Sequence, residues 1–183
     1  MILFINACVR KESRTLRLAQ QLIKTLDGET KEVRLEEIKF PKVDEEFINR
    51  RDALKKAGKY DDPLFSLGKD FANAYTIVIA APYYDLSFPA MLKQYFEQIN
   101  VLGVTFTYSD AGVPKGLCKA KSLYYVTTAG GSIISDDFGF GYVKALANTF
   151  YGIEEVHQIK AEGLDIVGAD VEAILKGTGM MDS

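Results

Sequence analysis

Short apolar runs alternate along this chain with longer segments of helical periodicity. The run Ile2–Asn6 is apolar almost throughout, as expected for a strand that is buried on both faces of a sheet. After a polar loop, apolar residues recur at helical spacing from about Arg14 to Leu26, which predicts a helix. Short runs rich in β-branched and aromatic residues predict strands at Tyr75–Ala80 and Ser122–Thr128. Two further strands are expected near Lys31–Ile38 and at Glu155–Ala161.

This alternation of strands and helices is typical of the α/β class. We expect residues 1–183 to form a single domain with a doubly wound, five-stranded parallel sheet and helices on both of its faces. In such sheets, ligands bind beyond the carboxyl ends of the strands, where the strand order reverses. The loops after the first, third and fourth strands are therefore the places to look for chemistry.

Two segments depart from the simple alternation. Asp44–Lys59 is highly charged with a thin apolar stripe, so it predicts a surface helix, either a solvated cover or a lid over a site. Val104–Lys115 alternates apolar and polar residues around a central Asp-Ala-Gly, which predicts an irregular hairpin.

A helix is also predicted from about Pro89 to Leu102. Its apolar stripe includes Tyr95, Phe96 and Ile99 and is broader than packing against one sheet requires. Part of the stripe is therefore expected to cover a second copy of the chain, which predicts a homodimer.

Composition and charge disfavour several classes of function. The net charge is −3 without a basic tract, so we expect no nucleic-acid partner. No apolar run approaches the roughly 20 residues of a membrane span, and the N-terminus lacks the charged start of a signal peptide. The 2 cysteines are too few for a disulfide framework or a zinc site, and with a single histidine we expect neither a His-based metal site nor a Ser-His-Asp triad. No metal ligand and no catalytic residue is predicted, both thiols are expected to be reduced in the cytoplasm, and redox chemistry would need a cofactor.

The loop Asn6–Thr15 joins the first strand to the first helix and places Ser13 where an N-cap belongs. A helix N-terminus has unpaired N–H groups and partial positive charge, so it suits a phosphate. Arg10 adds charged donors, and Ser13 and Thr15 add hydroxyls. The loop lacks the glycine pattern of dinucleotide sites and the Walker sequence, which favours a monophosphate over a pyrophosphate. In the alternative interpretation, Ser13 only caps the helix and Arg10 is a solvated surface residue.

Two further loops carry features of a ligand site. Tyr83, Tyr84 and Leu86 follow the third strand and can form a flat apolar wall, although such residues also belong to cores and subunit interfaces. Gly130-Gly131 follows the fourth strand and allows a planar ligand to approach the backbone closely. A phosphate cradle, an apolar wall and a glycine ledge at one edge together fit flavin mononucleotide (FMN).

These segments also carry a resemblance to a known family. Ala81–Phe96 is similar to the pattern Ala-Pro-Met-Tyr-Asn-Phe, a short step, then Pro-Ala-x-Leu-Lys-x-Tyr-Phe. That pattern belongs to the FMN-dependent NADH-azoreductase branch of the flavodoxin-like NAD(P)H dehydrogenase (quinone) family. Gly103–Tyr108 and Thr128–Gly131 continue the likeness, which is high from about residue 76 to 131 and fair from 1 to 26.

The resemblance implies a flavodoxin-like fold and a homodimeric enzyme with FMN as cofactor. It would use NADH or NADPH as co-substrate and reduce quinones and azo compounds, which are small aromatic electron acceptors, by two-electron ping-pong transfer. The phosphate would be bound by Arg10, Ser13, Arg14 and Thr15. The ring would lie along Tyr83, Tyr84, Asp85 and Leu86, with its pyrimidine edge at Thr128, Ala129, Gly130 and Gly131.

Two residues depart from the family pattern. Asp85 replaces the usual Asn, and a carboxylate that faced the ring would disfavour negatively charged reduced FMN. In the alternative, only the backbone of Asp85 meets the ring. Ala129 replaces an Arg of the azoreductase branch, which removes a contact to ring or substrate.

Two other functions are consistent with the same fold. One is a flavodoxin-type one-electron carrier, which has no reaction with a nicotinamide. The other is a non-enzymatic dimer that kept the fold and lost the flavin. Flavodoxins are usually more acidic and have a phosphate loop richer in Ser and Thr, so the enzyme is the favoured interpretation.

Overall fold

A computed structural model describes residues 1–179 of the chain. Short 3₁₀ turns cover residues 35–37 and 63–65, and a π-helical turn covers residues 147–151. The strands and helices are β1 (Ile2–Asn6), α1 (Arg14–Ile23), β2 (Thr30–Arg34), α2 (Glu45–Lys56), α3 (Ser66–Asn73), β3 (Thr76–Ala80), α4 (Ala90–Ile99), β4 (Phe106–Tyr108), β5 (Pro114–Gly116), β6 (Ser122–Thr128), α5 (Phe140–Leu146), β7 (Glu155–Ala161) and α6 (Val171–Gly179).

The main sheet has five parallel strands in the order β2-β1-β3-β6-β7. This is the flavodoxin-like order, in which the strand order reverses between β1 and β3. The loops that follow Asn6 and Ala80 therefore diverge and leave a crevice between them. Strands β4 and β5 form a separate antiparallel ribbon with Phe106 opposite Gly116, which confirms the predicted hairpin.

Successive residues of each central strand are buried on opposite faces of the sheet. On β1, Ile2 and Phe4 belong to the cluster formed with α1 and α6, whereas Leu3 and Ile5 belong to the cluster formed with α3, α4 and α5. All four side chains are at most 3% exposed, because helices cover both faces of the sheet. Two hydrophobic layers therefore fix the strands whose ends build the site.

The five predicted strands are confirmed: β1, β6 and β7 have the predicted bounds, and β3 begins one residue later than predicted, at Thr76. Strand β2 ends at Arg34 because residues 35–37 turn into a 3₁₀ helix. The prediction for the first helix extends three residues too far, since α1 ends at Ile23. Helix α2 buries only Phe47, which confirms a surface helix over the predicted charged segment. Among the helices within residues 1–179, none combines the length and hydropathy that crossing a membrane requires.

The broad apolar stripe on α4 packs inside its own chain, although its breadth suggested contact with a second copy. Tyr95, Phe96 and Ile99 are at most 1% exposed and pack in the core cluster of their own chain. Helices α3 and α5, which the sequence did not predict, supply part of the surface that covers them. These three side chains are not available to a partner, so the reason given for a homodimer is wrong, while the homodimer itself stays a prediction.

Candidate functional site

A cleft of about 380 Å³ opens at the carboxyl ends of the strands, across the crevice between β1 and β3. Its volume lies within the range of small-molecule pockets. Of the twelve residues predicted to bind a cofactor, Asp85, Leu86 and Gly131 do not line this cleft, and their contact with FMN stays a prediction. The other nine line it: Arg10, Ser13, Arg14, Thr15, Tyr83, Tyr84, Thr128, Ala129 and Gly130.

The start of α1 is arranged to receive an anion. The Ser13 hydroxyl accepts a hydrogen bond from the Leu16 N–H at 3.2 Å, which confirms the predicted N-cap. Within residues 1–179, the N–H groups of Arg14 and Thr15 have no hydrogen-bond acceptor. A hydroxyl that accepts one bond still has its own proton to donate. Two backbone N–H groups and one hydroxyl are therefore available to a single anion.

The two arginines of this loop have different surroundings. Nη1 of Arg14 lies 2.6 Å from Oδ1 of Asp165, a residue of the loop after β7. Arg10 lines the same cleft and forms no ion pair with any residue between 1 and 179. The charge of Arg10 is therefore available to an anion, whereas that of Arg14 is shared with a carboxylate.

Buried side chains support the loop from behind. The hydroxyls of Thr15 and Thr128 lie 2.6 Å apart, and these residues are 1% and 8% exposed. This bond joins α1 to the end of β6 across the crevice. Cys8, within the loop itself, is buried, and burial raises the pKa of its thiol to about 11. Burial therefore favours the protonated thiol near neutral pH.

The tyrosine segment ends in a tight turn. The Tyr84 N–H donates to the Ser87 carbonyl at 3.0 Å, and the Ser87 N–H donates back to the Tyr84 carbonyl at 2.8 Å. Between them Asp85 and Leu86 have φ values of 50° and 68°. Positive φ at both central residues is the pattern of a type I′ turn and is uncommon outside glycine, asparagine and aspartate. The turn is strained at Leu86 and holds Tyr83 and Tyr84 at the cleft.

The segment 132–138 supports this turn from outside. The Ser87 hydroxyl donates to the Phe138 carbonyl at 2.6 Å, and the Tyr83 hydroxyl lies 3.5 Å from the Ser135 carbonyl. The Asp136 carboxylate accepts hydrogen bonds from two side chains of β7, at 2.7 and 3.2 Å. The tyrosine turn is thus tied through this segment to the edge of the sheet.

The loop after β7 forms a wall of the cleft that the sequence did not reveal. The Asp165 N–H donates to the Gly130 carbonyl at 2.8 Å, and the Leu164 N–H donates to the Ala129 carbonyl at 3.2 Å. The fifth strand of a parallel sheet also ends at the edge where ligands bind, and this signal could have drawn attention to the loop. The lining residues that sequence reasoning missed are Val9, Glu12, Pro82, Leu164 and Asp165.

Comparison with known proteins identifies relatives of this chain. The family described as having a flavodoxin-like fold matches residues 1–178. An FMN-dependent NADH:quinone oxidoreductase 2 from Clostridium acetobutylicum is 35% identical over 97% of this chain and 93% of its own. An FMN-dependent NADH:quinone oxidoreductase from Coprothermobacter proteolyticus is 32% identical over 93% of this chain and 90% of its own.

A solved structure shares the fold. The FMN-dependent NADH-azoreductase from Bacillus anthracis str. Ames Ancestor, solved in complex with FMN, is similar with a TM-score of 0.77. The comparison covers 97% of this chain and 95% of the other, at 22% sequence identity. At that identity the likeness shows a common fold.

Proposed function

Because this chain belongs to the family with a flavodoxin-like fold, we propose that it is an FMN-dependent NAD(P)H oxidoreductase that reduces quinones. The observation that carries the proposal is one cleft in which an anion site and an aromatic wall meet. Two relatives that cover nine-tenths or more of this chain are named FMN-dependent NADH:quinone oxidoreductases, which supports both the cofactor and the reaction.

The phosphate end of the cleft fits a monophosphate. Arg10, the Ser13 hydroxyl and the free N–H groups of Arg14 and Thr15 supply donors from one side, and the helix dipole adds partial positive charge. The Thr15–Thr128 bond holds these donors in place before any ligand arrives. A preformed set of donors costs little ordering on binding.

The other end of the cleft fits a flat aromatic ring. Tyr83 and Tyr84 supply apolar surface, and the backbone at Ala129 and Gly130 borders the cleft without a bulky side chain. FMN bound here would supply the two-electron chemistry that the protein side chains lack. We also retain in the proposed binding set Asp85, Leu86 and Gly131, each within two residues of a lining residue.

The acceptor class follows from this geometry and from the relatives. Tyr84 and Leu86 are 39% and 45% exposed beside the cleft, so a small aromatic acceptor could pack there. Quinones are the first class we propose, and azo compounds are the second, because of the resemblance of Ala81–Phe96 to the azoreductase branch. Ala129 offers no cation for an acidic azo dye, so neutral acceptors should be reduced better.

Two measurements test this function. Titration with FMN, followed by flavin fluorescence, should show binding, and riboflavin should bind at least about tenfold more weakly because it lacks the phosphate. Steady-state assays with a quinone panel should show oxidation of NADH or NADPH. A protein that stays colourless with added FMN would contradict the proposal. FMN binding without nicotinamide oxidation would favour the one-electron carrier.

We also propose a homodimer in which the second copy covers the apolar edge beside the cleft. This edge consists of Ile134 and Phe138, which are 79% and 58% exposed and belong to the segment packed outside the turn of Tyr84 and Leu86. Such a dimer should bury on the order of 2,000 Å² in total. Light scattering at low micromolar protein should give twice the 20.3 kDa of one chain.

Variants at opposite edges of the sheet test the position of that interface. Phe138→Ser should weaken the dimer. Tyr75→Ser is the matched control, since Tyr75 is 59% exposed but precedes β3 at the amino end of the strands. A wild-type mass near that of one chain, or equal weakening by both variants, would contradict this interface.

A cytoplasmic location is proposed from the thiols. Cys8 and Cys118 are both free, and burial raises the pKa of the Cys118 thiol to about 12. Oxidising compartments favour disulfides, so free thiols support a reducing one. Cell fractionation tests this location directly.

A further inference from the structure

An ion pair forms part of the lining of the cleft. Nη1 of Arg14, on the first turn of α1, lies 2.6 Å from Oδ1 of Asp165, beyond the end of β7. Both residues line the cleft, and their side chains are 38% and 69% exposed. Two opposite charges therefore border the same cavity, one on each of two elements that are far apart in sequence.

The Asp165 carboxylate is held over the glycine segment. The Asp165 N–H donates to the Gly130 carbonyl at 2.8 Å. A Cβ at Gly130 would clash with Oδ2 of Asp165, so the carboxylate occupies the space above this glycine. In the proposed function, Gly130 borders the ring of the cofactor, which brings a negative charge to the ring end of the cleft.

We propose that the charges of Asp165 and Arg14 change the electron affinity of bound FMN in opposite directions. Two-electron reduction of a flavin adds negative charge to the ring, which a nearby carboxylate disfavours and a guanidinium favours. Asp165 therefore lowers the midpoint potential, and Arg14 partly offsets this effect while the two are paired. The inference rests on the proposed function, since it requires FMN in this cleft.

A second ion pair on the same helix provides a matched control. Arg17 binds Glu172 of α6 through two contacts, at 3.0 and 2.7 Å. The side chains are 45% and 73% exposed, close to the values of the first pair, but neither residue lines the cleft. Exposed ion pairs of this kind contribute little to stability. The two pairs should therefore differ in their effect on the flavin and hardly at all in their effect on folding.

The test compares Asp165→Asn and Arg14→Gln with Glu172→Gln and Arg17→Gln. For each protein, fluorescence titration gives the affinity for oxidised FMN, and anaerobic titration against a redox dye gives the midpoint potential. Asp165→Asn should raise the ratio of affinities for reduced over oxidised FMN by about tenfold, which is about 30 mV for a two-electron couple. Arg14→Gln should lower this ratio by a similar factor, and both control variants should stay within about twofold, or about 9 mV.

The opposed signs distinguish this role from a merely structural one. A latch that only closed the cleft would weaken both redox states equally and leave the potential unchanged in both variants. Unchanged potentials, or shifts of the same sign, would overturn the inference while leaving the proposed function standing. If the wild-type protein binds no FMN, the proposed function fails and the inference fails with it. Should Asp165→Asn fold poorly, the sign of the Arg14→Gln shift decides the question.

Discussion

The two ends of the cleft are built in opposite ways. At the phosphate end, Ser13 and Thr15 are at most 8% exposed, their hydroxyls are hydrogen-bonded, and the helix starts with an ordinary N-cap. Beside the ring end, Asp85 and Leu86 are exposed, have positive φ and form a turn that is held in place by a hydrogen bond from Ser87 to a neighbouring segment. The two hydroxyl residues of the phosphate end are thus buried and relaxed, whereas the turn beside the ring end is exposed and strained.

This difference matches what each end is proposed to bind. A phosphate is the same in every catalytic cycle, so rigid donors set before binding serve it well. Acceptors vary, and a partner chain is expected at the same edge, so an exposed apolar turn suits both. Strain at such positions persists where the surrounding structure maintains it. This difference between the two ends can be tested by variants that affect one end and leave the other unchanged.

The largest expected effect is at the phosphate end. Arg10→Ala should weaken FMN binding by about 1.5–3 kcal/mol, or roughly 10- to 150-fold, because it removes a charged hydrogen-bond donor. Riboflavin, which has no phosphate, should bind the variant and the wild-type protein alike. Lys11→Ala is the control, since Lys11 is the exposed neighbour of Arg10 and does not line the cleft. An equal loss for FMN and riboflavin would move the phosphate away from Arg10.

The second prediction concerns the buried bond behind that end. Thr15→Val leaves the Thr128 hydroxyl buried without its partner at 2.6 Å, which should cost about 1–3 kcal/mol in the free energy of unfolding. The double variant Thr15→Val/Thr128→Val should recover most of this loss, because neither hydroxyl is then left unpaired. Urea unfolding of the FMN-free protein measures all three. If the double variant is less stable than either single variant, the Thr15–Thr128 bond contributes more to stability than the pairing of two buried hydroxyls alone.

A neighbouring threonine supplies the control for this experiment. Thr127 is 2% exposed, and its hydroxyl has no hydrogen-bond partner within residues 1–179. Thr127→Val therefore removes a buried polar group that is already unpaired. We expect a neutral or stabilising effect, opposite in sign to that of Thr15→Val.

Local patterns predicted the phosphate end better than the ring end. Ser13 carries its own signal, because an N-cap lies between a polar loop and a helix whose periodicity is visible in the sequence. Asp165 has no such signal, since it reaches Gly130 only through the pairing of β6 with β7 and the backbone bonds beyond it. Leucine rarely has positive φ, so nothing in the sequence marks Leu86 as the strained centre of a turn.

The broad stripe of α4 shows a further limit of pattern reasoning. Periodicity gives the number of apolar side chains on a helix face but not the number of elements that cover them. Helix α3 has eight residues and α5 has seven, so their periodic signals are short and easily missed. Once both are in place, Tyr95 and Phe96 need no second chain to be buried.

The smallest expected effect is at the ring end, where relief of strain should stabilise the protein. Leu86→Asn should raise the free energy of unfolding by about 1 kcal/mol, because a left-handed conformation costs most L-residues about 1–2 kcal/mol and asparagine tolerates it better. Leu117→Asn is the control: Leu117 is 40% exposed, close to the 45% of Leu86, and lacks positive φ. The control should be slightly destabilised through lost apolar contact. Thermal unfolding of the FMN-free proteins measures both, and equal destabilisation would mean that the turn at Leu86 stores no strain. If this turn shapes the acceptor side, Leu86→Asn should also raise KM for a quinone by a larger factor than it weakens the binding of FMN.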